Sequence, residues 1–295
     1  MKADLHIHSW YSFDSYLTPD QLIKIAKEKG LSFMAICDHN EIIGSKMLQE
    51  SSEIESISGI EIDCTFNEDV IHLLGYGIDL DHPYYTSLCT HYKKELARIG
   101  LKRKQLIEER FKIQIDMKQV EELSHGGYSY TNVELCMVMF KQYPNHPDFY
   151  PYIYGDRSKN PIANFYWDHF AIGKWGYVEM ALPDYKEVIQ QIHQTGGLCI
   201  VAHPIIGVKN KLENVLKLLE AGVDGFEAYC SYHQKEDTLF YLEVCGKYQV
   251  LYTCGSDFHG PSKPNIEIGQ TYHQDDDQEW LDCLLKKLYT KKSSA

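Results

Sequence analysis

No stretch of the 295-residue chain approaches the roughly 18 consecutive apolar residues that a membrane-spanning helix needs. The opening Met1-Lys2-Ala3-Asp4-Leu5-His6 has no apolar export-signal core, so a cytoplasmic location and no membrane partner are expected. CxxC spacing is absent too. The nine cysteines stand singly, and in a chain without an export signal that argues for reduced thiols over a disulfide framework. Arginine is scarce, with only Arg98, Arg103, Arg110 and Arg157. Guanidinium suits bidentate phosphate recognition best, so the choice of an arginine clamp is narrow. Positive charge is outnumbered, with 29 Lys and Arg against 42 Asp and Glu, a net −13. Nonspecific binding to a nucleic-acid backbone or an anionic membrane is thereby disfavoured, and no stable nucleic-acid complex is expected. An anionic substrate is not excluded, because bound cations reverse the field inside a pocket. Neither an internal repeat nor a low-complexity linker is evident.

What is present is the composition of a globular protein, 44% hydrophobic and 24% charged, long enough for a sizeable core. Ala3 to Ile7 alternates like a short strand. Thr18 as N-cap, Pro19 at the first helical position and Gly30 as a stop bracket a helix carrying Leu22, Ile23, Ile25 and Ala26. Leu31 to Cys37 is an apolar run ending at Asp38-His39-Asn40. Ser58 to Cys64 and Ile71 to Tyr76 read as strands of a hairpin turning at Asn67-Glu68-Asp69. The rhythm resumes later. Helices are expected over 185–195, 212–221 and 240–248, with strands at 198–202, 225–229 and 250–254. Such alternation implies a parallel sheet or an α/β barrel, whose active site forms at the C-terminal ends of the strands. Residues 88–178 break the pattern. A basic helical stretch (Lys93, Lys94, Arg98, Lys102, Arg103, Lys104, Arg110) precedes a Tyr-rich segment, 143–177, and the whole reads as an insertion domain or lid.

The chemistry-bearing residues lie at those strand ends. His6 and His8 share one strand face by the period-two alternation. Asp38-His39 follows the next strand, His203-Pro204 a later one, and Asp257 and His259 sit in Gly255-Ser256-Asp257-Phe258-His259-Gly260. Each alone can be a satisfied or exposed loop residue. Together they would converge on one mouth, where buried histidines and carboxylates are costly without a cation. Asp, Glu and His ligands without cysteine suit Mn, Fe or Zn.

Residues 4–15 (DLHIHSWYSFDS), 35–40 (AICDHN), 202–204 (AHP) and 255–260 (GSDFHG) resemble, in order, the four motifs of the PHP (polymerase and histidinol phosphatase) family. Residues 59–79 (GIEIDCTFNEDVIHLLGYGID) are similar to that family's Glu-then-His connecting segment. The likeness covers about 1–80 and 179–275. It implies a distorted (β/α)7 barrel, in two parts at 1–87 and 179–295, with a mainly helical substrate-binding insertion at 88–178. It further implies three divalent metal ions (Mn, Fe or Zn). Carried over, His6, His8, Glu61 and Asp257 would hold one, Asp14, His39 and His259 a second, and Glu61, His72 and His203 a third. Asp14 stands where some members carry histidine and resembles the branch containing nucleoside bisphosphate phosphatases. That branch has an Arg-x-His-type element early in its insertion, and Tyr128 to Glu134 here has none.

Three divalent cations bring +6 against −3 from Asp14, Glu61 and Asp257, so the expected site is cationic. A water shared by two metals would lose a proton near neutral pH and attack phosphorus in line, with a metal stabilising the leaving group. Glu61, Asp257 and His259 are the catalytic candidates, and Asp38 suits either orienting His39 or a plain loop or capping role. Arg157, with Lys159 nearby, is the preferred substrate contact among the arginines, against a reading of both as part of a solvated loop. Tyr150, Tyr152, Tyr154, Tyr166 and Trp167 suit either stacking on a base or packing of the insert. Glu227 and Tyr229 alternate towards the site, Cys37 and Cys254 fill core, and His125, His169 and His233 are expected on the surface or in loops.

The expected activity is therefore hydrolysis of a small phosphate ester, a nucleotide or nucleoside phosphate first. A phosphomonoester such as histidinol phosphate comes second and short oligonucleotide ends third. Two rivals come from other classes. A catalytically silent metal-binding module would typically lose ligands, and all nine are present. A metal-dependent amidohydrolase would want a carboxylated lysine as bridge, where Glu61 stands instead.

Overall fold

The computed structural model describes residues 2–128, 130–271 and 279–293. Two compact units emerge from the contacts, residues 1–89 with 182–295 and residues 90–181.

In the first unit β1 (Lys2–Ile7) leads to α1 (Pro19–Glu28), β2 (Leu31–Ile36), α2 (Ile43–Glu50), β3 (Glu55–Ser56), β4 (Gly59–Phe66) and β5 (Asp69–Tyr76). Helix α3 (Pro83–Phe111) begins in this unit and continues into the second. The regular elements of the second unit, among its described residues, are all helices. It carries α4 (Met117–Leu123), α5 (Asn132–Gln142), a short 3-10 turn at Pro147–Phe149, α6 (Tyr150–Ile153) and α7 (Pro161–His169). The chain then returns to the first unit through α8 (Tyr185–Gln194), β6 (Leu198–Val201), α9 (Leu212–Ala221), β7 (Gly225–Tyr229), α10 (Lys235–Tyr248), β8 (Leu251–Cys254) and α11 (Glu279–Ser293).

The described strands form two sheets, β1-β2-β3 and β4-β5-β6-β7-β8. The first is parallel; in the second, β4, β5 and β6 pair antiparallel and β6, β7 and β8 parallel. The fold is thus α/β, but not one continuously hydrogen-bonded ring of parallel strands. Single parallel bridges, Ile7 to Phe258 and His39 to Glu61, connect the sheets at the level of the conspicuous residues. The expected hairpin is real: Gly59 pairs with Tyr76 and Phe66 with Asp69.

Both faces of β6 are buried, as the apolar run Leu198-Cys199-Ile200-Val201 requires. Cys199 and Val201 join one core cluster with Ile60, Ile62 and Leu73, whereas Leu198 and Ile200 join another with Leu5, Leu74 and Leu284. Helix α8 supplies Val188, Ile189 and Ile192 to the first cluster, an i, i+1, i+4 stripe on one face. Each such side chain contributes roughly 1.5–3 kcal/mol through burial. Helix α1 starts as its sequence announces. Thr18 and Gln21 form a reciprocal capping box ahead of Pro19, a cap worth about 1 kcal/mol. Asp4 ties β1 to the far end of the chain, accepting hydrogen bonds from Ser256 Oγ at 2.6 Å, Ser256 N at 2.9 Å and Gly269 N at 2.7 Å. Helix α10 starts five residues before the expected position, because Gln234 and Asp237 cap it at Lys235.

Candidate metal centre

The strand ends deliver their side chains to one place. His6 lies in β1 and His8 just beyond it, His39 follows β2, Glu61 and Asp63 lie in β4, His72 in β5, and His203 follows β6. Asp257 and His259 follow β8. Three of the turning points carry positive φ on residues other than glycine: Asn40 at 50°, His203 at 24° and Asp257 at 57°. Such strain persists only where surrounding contacts over-determine it, and it gathers at functional sites. The approach is close enough that a Cβ on Gly255 would strike Glu227 and the Cβ of His6, so Gly255 is required by packing.

Glu61 is the hub. Its Oε2 lies 3.1 Å from His8 Nε2, 3.2 Å from His6 Nε2 and 3.3 Å from His39 Nδ1. Its Oε1 lies 2.9 Å from both His72 Nδ1 and His203 Nε2. Asp257 Oδ1 is 3.0 Å from His8 Nε2 and 3.4 Å from His6 Nε2. Asp14 Oδ2 is 3.2 Å from His259 Nε2 and 3.9 Å from His39 Nε2. Three sets of donor atoms fall within 4.8 Å of one another: His6, His8, Glu61, Asp257; His8, Asp14, His39, His259; and His39, Glu61, His72. The first two contain the groupings expected from sequence, the second with His8 added. The third has His39 where His203 was expected, although His203 touches Glu61.

Burial sets the electrostatics. It favours the neutral form of every carboxylate here, yet His39, His6 and His72 hold Glu61 well below its ordinary range. Against the same burial, Lys263, His259 and His6 hold Asp257 low. For His39, burial is outweighed by Glu61, Asp63 and Asp14, which push it up to about 10. His8 goes the other way, down to about 4, through burial and the neighbouring His259. Glu61 Oε2, Asp257 Oδ1 and His259 Nε2 are buried without a hydrogen-bond partner. Carboxylate oxygens and imidazole nitrogens converging in a buried cluster fit divalent cations, and the nitrogen and oxygen donor set fits Mn, Fe or Zn.

Outer partners hold the ring nitrogens. Glu227 Oε1 lies 3.0 Å from His6 Nδ1 while its Oε2 accepts from His203 N at 2.8 Å, so Glu227 does face the site. Asp63 Oδ1 lies 3.1 Å from His39 Nδ1 and 3.5 Å from His72 Nε2. Asp63 takes the orienting role that Asp38 could have filled. The carboxylate of Asp38 instead accepts from Ser9 N at 2.6 Å and Ser9 Oγ at 2.7 Å, and burial pushes it up to about 7. Two further residues escaped the sequence reading. Tyr232 OH donates to Asp257 Oδ2 at 2.5 Å, and Lys263 Nζ lies 2.6 Å from the same oxygen. The period-two spacing of Glu61 and Asp63 on one strand could have revealed Asp63. Tyr232 and Lys263, in turns, gave no periodic signal.

Of the remaining candidates, Arg157 lies in the second unit, where its Nε donates to Asp168 Oδ2 at 3.1 Å and its Nη2 pairs with Asp168 Oδ1. Tyr152 is buried against Phe140 and Phe165, whereas Tyr150, Tyr154 and Trp167 are exposed. His125 and His233 lie in loops, one of the two expected places, but are buried there, and His169 is held between Tyr152 OH and Trp175 Nε1, both at 2.9 Å. Cys37 and Cys254 are buried as expected.

An α/β scaffold gathering histidines and carboxylates into a buried cluster defines a metallohydrolase-like class of site. Residues 4–147 match the PHP domain. A 5'-3' exoribonuclease of Haemophilus influenzae is 26% identical over 280 residues, 91% of this chain and 93% of its own. A phosphoribosyl 1,2-cyclic phosphate 1,2-diphosphodiesterase of Eggerthella lenta is 24% identical over 88% of this chain and 95% of its own. A 3',5'-nucleoside bisphosphate phosphatase of Chromobacterium violaceum is 22% identical over 91% and 90%. In fold, the chain is similar to a solved structure described as an amidohydrolase from Chromobacterium violaceum, with TM-score 0.77, 19% identity, and 99% and 97% of the two chains covered. No helix of the described residues is long and apolar enough to cross a membrane.

Proposed function

We propose that the chain is a metal-dependent hydrolase of phosphate esters, acting on a small phosphorylated substrate, with a nucleotide or nucleoside phosphate first. The observation that carries this reading is the convergence of Glu61 Oε2, Asp257 Oδ1 and His259 Nε2 with the surrounding imidazole nitrogens in one buried cluster. The three relatives differ in substrate, but each is named for cleaving a phosphate ester. In this reading His6, His8, Glu61 and Asp257 hold one divalent cation, Asp14, His39 and His259 a second, and Glu61 with His72 and His203 a third. Such cations, when bound, supply Lewis acidity at phosphorus and a lowered water pKa. Glu61 spans the cluster, and Glu227 and Asp63 fix the rings of His6 and His39 so that their other nitrogens point inward. Asp257 and His259 line the face where a phosphoryl group would be received. The sheets are read as a distorted barrel and residues 88–178 as its substrate-recognition insertion.

The test is metal analysis of the purified chain, paired with phosphate release from nucleoside mono- and bisphosphates, histidinol phosphate and short oligonucleotides. Two or three metals per chain and turnover of one of these esters is the expected result. No metal uptake and no release after Mn, Fe or Zn is supplied would leave a binding module. A second reading, trimming of RNA ends, is favoured by the exoribonuclease that matches over nine-tenths of the chain. A 5'-phosphorylated oligoribonucleotide in the same panel, with release of nucleotides measured beside release of phosphate, separates the two.

A further inference from the structure

We propose that Lys263 is the anion contact of this cluster, its ammonium receiving a phosphoryl oxygen of the substrate at the rim. The inference deepens the phosphate-ester reading and rests on it. Lys263 follows the short 3-10 turn Gly260–Ser262, directly beyond Asp257-Phe258-His259. Its Nζ lies 2.6 Å from Asp257 Oδ2 and 2.7 Å from Tyr232 OH. Tyr232 OH in turn donates to that same carboxylate oxygen. The carboxylate is thereby divided. Oδ2 faces Lys263 and Tyr232, and Oδ1 faces His6 and His8. An ammonium has three N–H donors, and these two contacts use two of them. The Lys263 side chain is 31% exposed where that of Asp257 is 2% exposed, so Lys263 is the member of the pair that reaches towards solvent.

Charge gives this placement its meaning. Lys263 pairs with Asp257, a carboxylate of the cluster, whereas the pairs described above for Glu61 and Asp14 are with histidines. A permanent ammonium beside a cation site repels the cation by Coulomb's law. It therefore works against metal binding. It works for an arriving anion, which it meets with a charge-assisted hydrogen bond. Arg157, the other candidate, already has both arms of its fork on Asp168.

The experiment uses the full chain loaded with Mn²⁺ and inorganic phosphate as the probe. Lys263→Met should raise the phosphate inhibition constant and the substrate KM roughly 10- to 100-fold, the loss expected for one charge-assisted hydrogen bond. Mn²⁺ affinity, measured by calorimetry, should stay the same or tighten. Lys263→Arg should restore phosphate binding. An unchanged phosphate constant overturns the inference. So does Mn²⁺ binding that weakens in step with phosphate binding, because Lys263 would then only position Asp257. Should Lys263→Met fail to fold, Tyr232→Phe keeps the charge but removes one anchor of the ammonium; it should raise the phosphate constant by less, and no rise counts against the proposal. The two levels separate cleanly. Wild-type chain that turns over esters beside a Lys263→Met variant of equal KM removes Lys263 and leaves the hydrolase, whereas wild-type chain that cleaves no ester of the panel removes both.

Discussion

The two compact units differ in how they use charge. Residues 90–181 carry 13 Lys and Arg against 11 Asp and Glu, a net +2, which leaves 16 against 31, a net −15, for the rest of the chain. In the second unit several charges pair locally: Arg98 with Glu95, Lys104 with Glu108, Arg157 with Asp168. Pairs of this kind add only a few tenths of a kcal/mol to a helix. In the first unit the notable carboxylates are buried and meet partners from distant strands, as Glu61 meets His203, 142 residues on. Burying like charges together is destabilising unless a cation joins them. The region that is costly to fold is therefore the one arranged for chemistry, and the region with inexpensive local pairs is built on an aromatic core of Phe111, Phe149, Phe165 and Phe170.

The largest effect should come from breaking the cluster alone. Asp257→Asn or His8→Ala should lower phosphate release by about a thousandfold or more, together with bound metal, while the far-UV helical signal of the whole chain persists. Activity retained after stoichiometric metal loss would sink the assignment. The converse break is Phe165→Ala. Phe165 is fully buried against Phe111, Phe140 and Tyr152, and its truncation should cost about 3–5 kcal/mol. Chemical unfolding should show the loss, with metal per folded chain unchanged. A loss of metal in step would mean that the units are coupled more tightly than their separate cores imply.

A smaller effect tests long-range charge in the first unit outside the cluster. Asp224 is mostly buried and accepts hydrogen bonds from His193 Nε2 at 2.7 Å, Lys287 Nζ at 2.8 Å and Cys199 N at 2.9 Å. Burial pushes its carboxyl up, but these donors outweigh it and bring it down to about 2 from 3.8. A depressed carboxylate stabilises the fold above its unfolded pKa and loses that contribution as pH falls through the folded value. Asp224→Asn should thus cost roughly 2 kcal/mol at pH 7, and the gap should close between about pH 4 and pH 2. Urea unfolding across that range measures it. A gap independent of pH would assign the contribution to shape, not charge.

Much of this was legible before any coordinates. Period-two spacing put His6 and His8 on one face, and strand ends predicted where His39, His203 and Asp257 would meet, because backbone alternation and connectivity are local properties. Thr18, Pro19 and Gly30 marked α1 for the same reason. What stayed hidden depends on approach in space. Asp38 precedes His39 in sequence but turns to Ser9, and Asp63, 24 residues away, takes the imidazole. His125 and His233 were expected on the surface or in loops because no motif claimed them; they lie in loops, and packing around those loops buries them. The two sheets and the antiparallel pairing of β5 with β6 likewise follow from which strands meet, and strand patterns alone are silent on that.

The finest test concerns Arg157, because scarcity of arginine made it the preferred phosphate contact while its surroundings suggest a different role. Asp168 occupies its fork, and Tyr152 OH donates to Asp168 Oδ2 at 2.8 Å. A phosphate drawing Arg157 away would leave Asp168 without its cation. The pair is about one-third exposed, at 39% and 30%, so solvent screens it and its stability contribution should be below about 1 kcal/mol. Arg157→Ala is accordingly expected to change KM less than twofold while Lys263→Met changes it tenfold or more, by the loss of one charge-assisted hydrogen bond. The two variants measured side by side locate the anion contact. A KM that rises in Arg157→Ala at constant kcat would return substrate binding to the second unit, and with it the idea that the near-neutral unit supplies recognition for the acidic one.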